Sequence, residues 1–171
     1  MLPFLFVKNS DHLPEISFHF IIIMYIYIFI VYLLHRRINM NKKNGAQSVS
    51  TIPGRRIVMS GAIGKTNAEE IIWLKNTVLQ SANSWGKEGW AYIADCSKMS
   101  PVGAAEIGTL VEMTRAFVDA GCKAFAFVEG SSVILKVQTK KNTELSKTGV
   151  LEGHFVELKD ALEWLQNEVK I

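Results

Sequence analysis

From Arg56 to the C-terminus, short apolar runs alternate with stretches whose apolar residues recur at helical spacing, and nothing else in the chain narrows its fold as far. The runs are Arg56–Ala62 (RIVMSGA), Trp90–Ala94 (WAYIA), Lys123–Val128 (KAFAFV) and His154–Leu158 (HFVEL). Trp90 to Ala94 is apolar without alternation, as a central strand covered on both faces requires. Ile71, Leu74, Val78, Ala82 and Trp85 form one helical stripe. Ile107, Leu110, Val111, Thr114, Phe117 and Val118 form a second, on a helix over Ala104–Ala120 that Gly121 is placed to end. Ser131 or Ser132 caps a short basic helix reaching about Lys141. Asp160, with Glu163 three residues on, opens a last helix bearing Ala161, Leu162, Leu165 and Val169. Thr66 and Glu69 have capping-box spacing at the start of the first helix. This order predicts an α/β domain: a mainly parallel sheet of four to five strands, covered by helices and joined by right-handed crossovers. About 115 residues suffice for one such core.

The organisation before this domain is different in kind. Residues 1–15 are an N-terminal extension. Ile16 to Leu34 (ISFHFIIIMYIYIFIVYLL) carries no Asp, Glu, Lys or Arg. As a helix it would span about 28 Å, close to the roughly 30 Å of a bilayer's hydrocarbon. His35, Arg36, Arg37, Lys42 and Lys43 follow it and only Lys8 precedes it, which places the C-terminal domain on the cytoplasmic side. Two readings stay open: a single transmembrane span over 16–34, or a chain whose translation starts at Met40, which would be cytoplasmic. Residues 35–54 are polar, with Gly, Ser, Thr and one Pro, and read as a linker. The domain then occupies 55–171.

Charge excludes little but weighs against nucleic acid. Sixteen of the 19 Lys and Arg, and fourteen of the 16 Asp and Glu, lie from Asn41 onward. The resulting surplus is small and mixed in sign, with no basic face. Cys96 and Cys122 stand apart without a CxxC or Cys/His cluster, so they read as small buried hydrophobes and no metal site is expected.

Four features could carry chemistry. Gly61-Ala62-Ile63-Gly64-Lys65-Thr66 lies between a strand and a helix, but a phosphate loop of GxxxxGK[ST] type would need glycine where Met59 stands, so the stretch reads as an ordinary turn. Asp95 falls at the end of the central strand with no second carboxylate or histidine in sequence reach, which favours turn capping over catalysis. His154 reads as an exposed histidine at a strand end, with no nucleophile-elbow motif to serve. Lys136, Lys140, Lys141 and Lys147 are a solvated helix face, or a contact for an acidic partner or anionic lipid. Trp73, Trp85, Trp90 and Trp164 read as core or rim packing.

The layout resembles a known family. A strand ends in Gly61-Ala62-Ile63, a helix opens Thr66-Asn67-Ala68-Glu69-Glu70, and an apolar strand ends in Asp95. A second helix begins Ala104-Ala105-Glu106-Ile107-Gly108 and closes Asp119-Ala120-Gly121. A Ser131-Ser132-Val133 helix and a closing Ala161-Leu162-Glu163-Trp164-Leu165 helix follow. From about Arg56 to Gln166 this is similar to the STAS domain of anti-sigma factor antagonists and of sulfate transporter tails. In the antagonists the loop before the second helix carries an Asp-Ser-Ser-Gly-Leu-Gly type motif, phosphorylated on serine to break the complex with a partner. Matching Ile107-Gly108 to its end puts Ala104 and Ala105 on the serine positions and Glu106 on a glycine. No phosphorylation site remains there.

The resemblance implies a non-enzymatic regulatory module that docks a protein, of anti-sigma-factor-like or kinase-like class, through Ser100, Pro101, Val102, Gly103, Ala104, Ala105 and Glu106, without a cofactor. A competing reading is a small-molecule or lipid carrier with an apolar pocket under the C-terminal helix. A third, nucleotide hydrolysis at Gly61–Thr66, needs the phosphate loop that the sequence lacks.

Overall fold

Along the central strand, large and small side chains alternate. Trp90 and Tyr92 point one way and Ala91 and Ile93 the other, and all four are buried. That asymmetry decides how the sheet is covered. The computed structural model describes residues 42–86 and 88–171. Its elements are β1 (Lys42–Asn44), β2 (Gln47–Thr51), β3 (Ile57–Gly64), α1 (Ala68–Ala82), β4 (Trp90–Met99), α2 (Ile107–Asp119), β5 (Cys122–Val128), α3 (Val133–Ser146), β6 (Leu151–Phe155) and α4 (Leu158–Trp164). A π-type turn, Leu165–Val169, extends α4. The sheet order is β1-β2-β3-β4-β5-β6. Strands β3 to β6 are parallel and β1 and β2 add antiparallel at one edge. The fold is therefore the expected α/β architecture, with six strands.

The aromatic face meets the crossover helices. Phe117 of α2 lies edge-on to Tyr92 at 4.9 Å and to Trp90 at 5.7 Å, and Phe125 of β5 joins them. Ile71, Leu74 and Val78 of α1 and Leu135 of α3 complete this layer. Burying each of these large side chains is worth roughly 2–3 kcal/mol. The opposite face is built from Ile57, Ala91, Ile93, Ala124, Ala126 and Val128, and small residues let α4 approach closely enough to bury Ala161 and Leu165 completely.

Several expectations are corrected. Residues 42–51, inside the stretch read as a linker, are β1 and β2. Their pattern is amphipathic and mostly polar: only Gln47 and Val49 point inward, so no apolar run marks them. Asn67, not Thr66, caps α1, accepting from Glu70 N–H at 2.9 Å while Glu70 returns a bond to Asn67 N–H. The capping box is present one residue later. Strand β4 continues to Met99, so the loop begins at Ser100 rather than Asp95. Strand β6 begins at Leu151 and ends at Phe155. Ser132 caps α3 through Leu135 N–H. The span expected over residues 16–34 lies outside the described residues. Among the described residues, no helix is long and apolar enough to cross a membrane.

Candidate functional site

The Ser100–Glu106 loop joins β4 to α2 and is held at two points. Ser100 N–H donates to the Gly64 carbonyl at the end of β3, at 2.7 Å. Val102 turns inward, and Gln138 of α3 grips its backbone. Val102 N–H donates to Gln138 Oε1 at 2.9 Å, and Gln138 Nε2 donates to the Val102 carbonyl at 2.7 Å. A side-chain amide thus acts as a strand would, satisfying both backbone groups of one residue. Pro101, Gly103, Ala104 and Ala105 remain exposed around this anchor. A short 3-10 turn, Ala104–Glu106, leads into α2, closed by Glu106 N–H to the Gly103 carbonyl at 3.2 Å. Six of the seven residues expected to meet a partner lie at the surface of this braced loop, with Ala104 and Ala105 exposed, whereas Val102 is buried in the core and is not available to one.

Helix α3 beside this loop has its polarity inverted. Its inner face is Leu135, Thr139, Asn142, Thr143 and Ser146, all buried. Its outer face presents Val133, Ile134 and Val137, which are 74%, 67% and 63% exposed. Lys136, Lys140 and Lys141 are exposed among them. Apolar residues outside and polar residues inside reverse the usual amphipathic order.

A buried polar cluster sits where β5 ends. Glu129 and His154 are only 3% and 8% exposed at their side chains, and His154 Nδ1 lies 2.7 Å from Glu129 Oε1. Thr139 Oγ1 donates to the same oxygen at 2.7 Å. The imidazole stacks on Phe127 with centroids 5.5 Å apart. His154 is thus not the exposed strand-end residue expected. Strand β6 starts earlier than the sequence pattern indicates, which carries His154 into the sheet beside Phe127. Asp95 lies within β4 and accepts from Ser97 N–H at 3.1 Å and Ser97 Oγ at 2.6 Å. Asp95 and His154 have separate partners.

Gly61 to Gly64 continue β3, and Thr66 Oγ1 accepts from Gln47 Nε2 at 2.8 Å, so the stretch is a strand with a following turn. Both cysteines are free and buried. Burial pushes the Cys96 thiol up to about 12, helped by the negative charges of Glu129 and Asp95, and pushes Cys122 up to about 12 as well. Thiols held protonated in this way are inert nucleophiles. Trp90 donates its indole N–H to the Ala120 carbonyl at 2.9 Å, and Trp164 packs on Phe155, so both serve packing.

The face under α4, where a carrier pocket was expected, is filled by the close alanine packing described above. A cavity of about 80 Å³ lies on the other face, between the sheet and the crossover helices. Sequence reasoning missed this cavity, the Gln138 brace and the Glu129–His154 pair. One signal was present: Thr139, Asn142, Thr143 and Ser146 recur at the spacing of Leu135, where an inward helix face should be apolar.

The described residues thus form a six-stranded, mainly parallel sheet with crossover helices and a braced loop before α2. The chain is similar to an uncharacterized protein of the DUF3478 family with a SpoIIAA-like fold from Shewanella loihica PV-4, at TM-score 0.55 and 16% identity, over 74% of this chain and 96% of that one. The fold of this domain is SpoIIAA-like. It is also similar to an anti-sigma factor antagonist from Mycobacterium paratuberculosis, at TM-score 0.45 and 12% identity, over 74% of this chain and 99% of that one. No protein-family model and no curated protein matches the chain.

Proposed function

We propose that this domain is a non-enzymatic regulatory module that docks a protein through the Ser100–Glu106 loop and the outer face of α3. The observation that carries the reading is the Gln138–Val102 brace. It fixes an exposed loop of small residues beside an exposed apolar stripe, and a pre-ordered surface loses less entropy on binding. An apolar patch edged by polar groups is the usual mark of an interaction surface. Lys136, Lys140 and Lys141 at its margin fit a partner whose apolar patch is edged by carboxylates. Ala104 and Ala105 offer no hydroxyl, so association is not switched by phosphorylation at those positions. A regulatory protein of anti-sigma-factor-like or kinase-like class is the partner that the family resemblance supports. Residues 16–34, where expressed, tether the module with this surface in the cytoplasm.

The test is affinity capture with the full chain, comparing the native sequence with Ala104→Asp, Ala105→Asp, Ile134→Asp and, as a control on α4, Glu163→Gln. One protein should be recovered by the native chain and the control and lost from the other three. Equal recovery by all four would overturn the reading. Capture by anionic vesicles that depends on Ile134 but not on Ala104 or Ala105 would replace the protein partner with a lipid surface.

A further inference from the structure

The two edges of the sheet are built differently. At one edge, β1 has three residues, two of them Lys42 and Lys43. Short length and edge lysines are how natural sheets discourage a further strand. At the other edge, β6 (Leu151–Phe155, LEGHF) carries neither lysine nor proline, and Leu151 is 58% exposed. Among the described residues, β6 is paired with β5 alone.

The hydrogen bonding fixes which backbone groups of β6 are left over. Strands β5 and β6 are parallel, with Val128 beside Phe155 and Phe127 beside His154. Glu129 N–H donates to the Phe155 carbonyl at 3.0 Å, so Phe155 turns its backbone groups toward β5. The direction alternates along a strand, and Gly153 and Leu151 therefore face β5 as well. The N–H and C=O of Glu152 and His154 point away from the sheet. A row of such groups is a template for another strand.

The residues of β6 complement the same strand run in the opposite direction. Two copies paired antiparallel must set outward-facing residues against one another, which leaves three registers, centred on Glu152, Gly153 or His154. Centring on Glu152 opposes two carboxylates, and like charges directly opposite are unfavourable. Centring on His154 opposes two imidazoles and sets Glu152 against Val156. Centring on Gly153 sets Glu152 against His154 of the second copy, and His154 against Glu152, so acid meets imidazole at both places. In that register every outward N–H and C=O of the two residues is used, in four backbone hydrogen bonds. On the other face of the sheet Leu151 meets Phe155 of the second copy, and Gly153 meets Gly153 with no side chain between them. Such a contact is isologous, the same patch serving both partners, and closes as a pair.

We propose that β6 is a homodimerisation edge: two copies of this chain pair antiparallel across a two-fold axis at Gly153, and one sheet runs through both. A five-residue strand pairing is smaller than the usual stable interface, so the dimer forms and dissociates with concentration. The proposal does not rest on the docking surface described above.

The experiment uses the purified full chain in a mild non-ionic detergent that keeps residues 16–34 dispersed. Sedimentation velocity from micromolar to millimolar concentration should show monomer passing to dimer. Leu151→Lys adds the lysine that β6 lacks, at an exposed position. Glu152→Pro removes an N–H that β5 does not use, and by symmetry two of the four bonds. Each should weaken the dimer at least about tenfold. Ile134→Asp on α3 should leave it unchanged. Thermal unfolding checks that the variants fold; if Glu152→Pro does not, Leu151→Lys decides.

The register is read by oxidising a mixture of Leu151→Cys and Phe155→Cys. Opposed positions of this kind have Cα atoms about 4.5 Å apart, within reach of a disulfide. In either variant alone the two new cysteines are four residues out of register, about 13 Å apart, too far to bridge. Cross-linked dimer should therefore form in the mixture and in neither variant alone. Cys96 and Cys122 are buried and stay out of the reaction. If Phe155→Cys unfolds, the sedimentation variants decide alone. A monomer at every concentration, or a dimer that either folded β6 variant leaves intact, would overturn the proposal. Cross-linking no better in the mixture than in the separate variants would overturn the pairing at Gly153. None of these readouts involves the Ser100–Glu106 loop, so the docking reading is judged separately by the capture experiment.

Discussion

Replacing His154 with alanine tests the buried cluster most directly. The native imidazole lies 2.7 Å from a carboxylate that is 3% exposed, and it stacks on Phe127. Losing a hydrogen bond to a charged group costs about 1.5–3 kcal/mol, and the space left by the ring adds about 1–2 kcal/mol. His154→Ala should therefore destabilise by about 2.5–5 kcal/mol, close to the range seen when one partner of a buried pair is removed. In a Glu129→Gln background only the packing loss and a neutral bond, worth about 0.5–1.5 kcal/mol, remain, so the same substitution should cost about 1.5–3.5 kcal/mol. The coupling read from the double-mutant cycle, the difference between a charged and a neutral hydrogen bond, is then about 1–1.5 kcal/mol. Urea unfolding of the four proteins measures it, provided that the dependence on urea is common to all. A single-mutant cost below about 1 kcal/mol, or additivity within about 0.5 kcal/mol, would refute the reasoning that the buried Glu129–His154 bond stabilises the fold.

Three further outcomes follow from the geometry. Gly121 has φ +92°, and a Cβ there would come 2.3 Å from the Gly86 carbonyl oxygen. Gly121→Ala should cost about 2–5 kcal/mol, whereas Gly108→Ala, with open space around it, should gain up to about 1 kcal/mol in thermal unfolding. Cys96 and Cys122, pushed from 9.0 up to about 12, should resist alkylation at pH 8 until denaturant is added. Because their folded values are raised, the stability they contribute is fully present below about pH 9 and is lost as pH climbs toward 12; unfolding free energies that rise over that range would contradict the burial. Asn67→Ala removes the cap of α1 and should cost about 1 kcal/mol, read by circular dichroism during urea unfolding.

The inner parallel strands β4 and β5 were legible because they are apolar on both faces. Trp90 to Ala94 and Lys123 to Val128 need no context to be read. Strands β1 and β2 were not legible, because an edge strand with one inward valine and one inward glutamine looks like a polar linker. The loop was located through the resemblance and through Pro101 and Gly103, but its brace depends on a glutamine 36 positions away. No local pattern reveals such a contact. His154 was misread for a related reason: its burial follows from where β6 pairs, and Phe127 and Glu129, which receive it, lie in β5 and just beyond its end.

The reversed polarity of α3 also sets how firmly that helix is held. Of its inward side chains only Leu135 is a large hydrophobe, so detaching α3 from the sheet forfeits little transfer free energy compared with α1 or α2. The domain should therefore populate a partly unfolded form in which α3 has left while the sheet and the other helices persist. A protease at low concentration should cut first within residues 133–146, long before the remainder of the domain is digested.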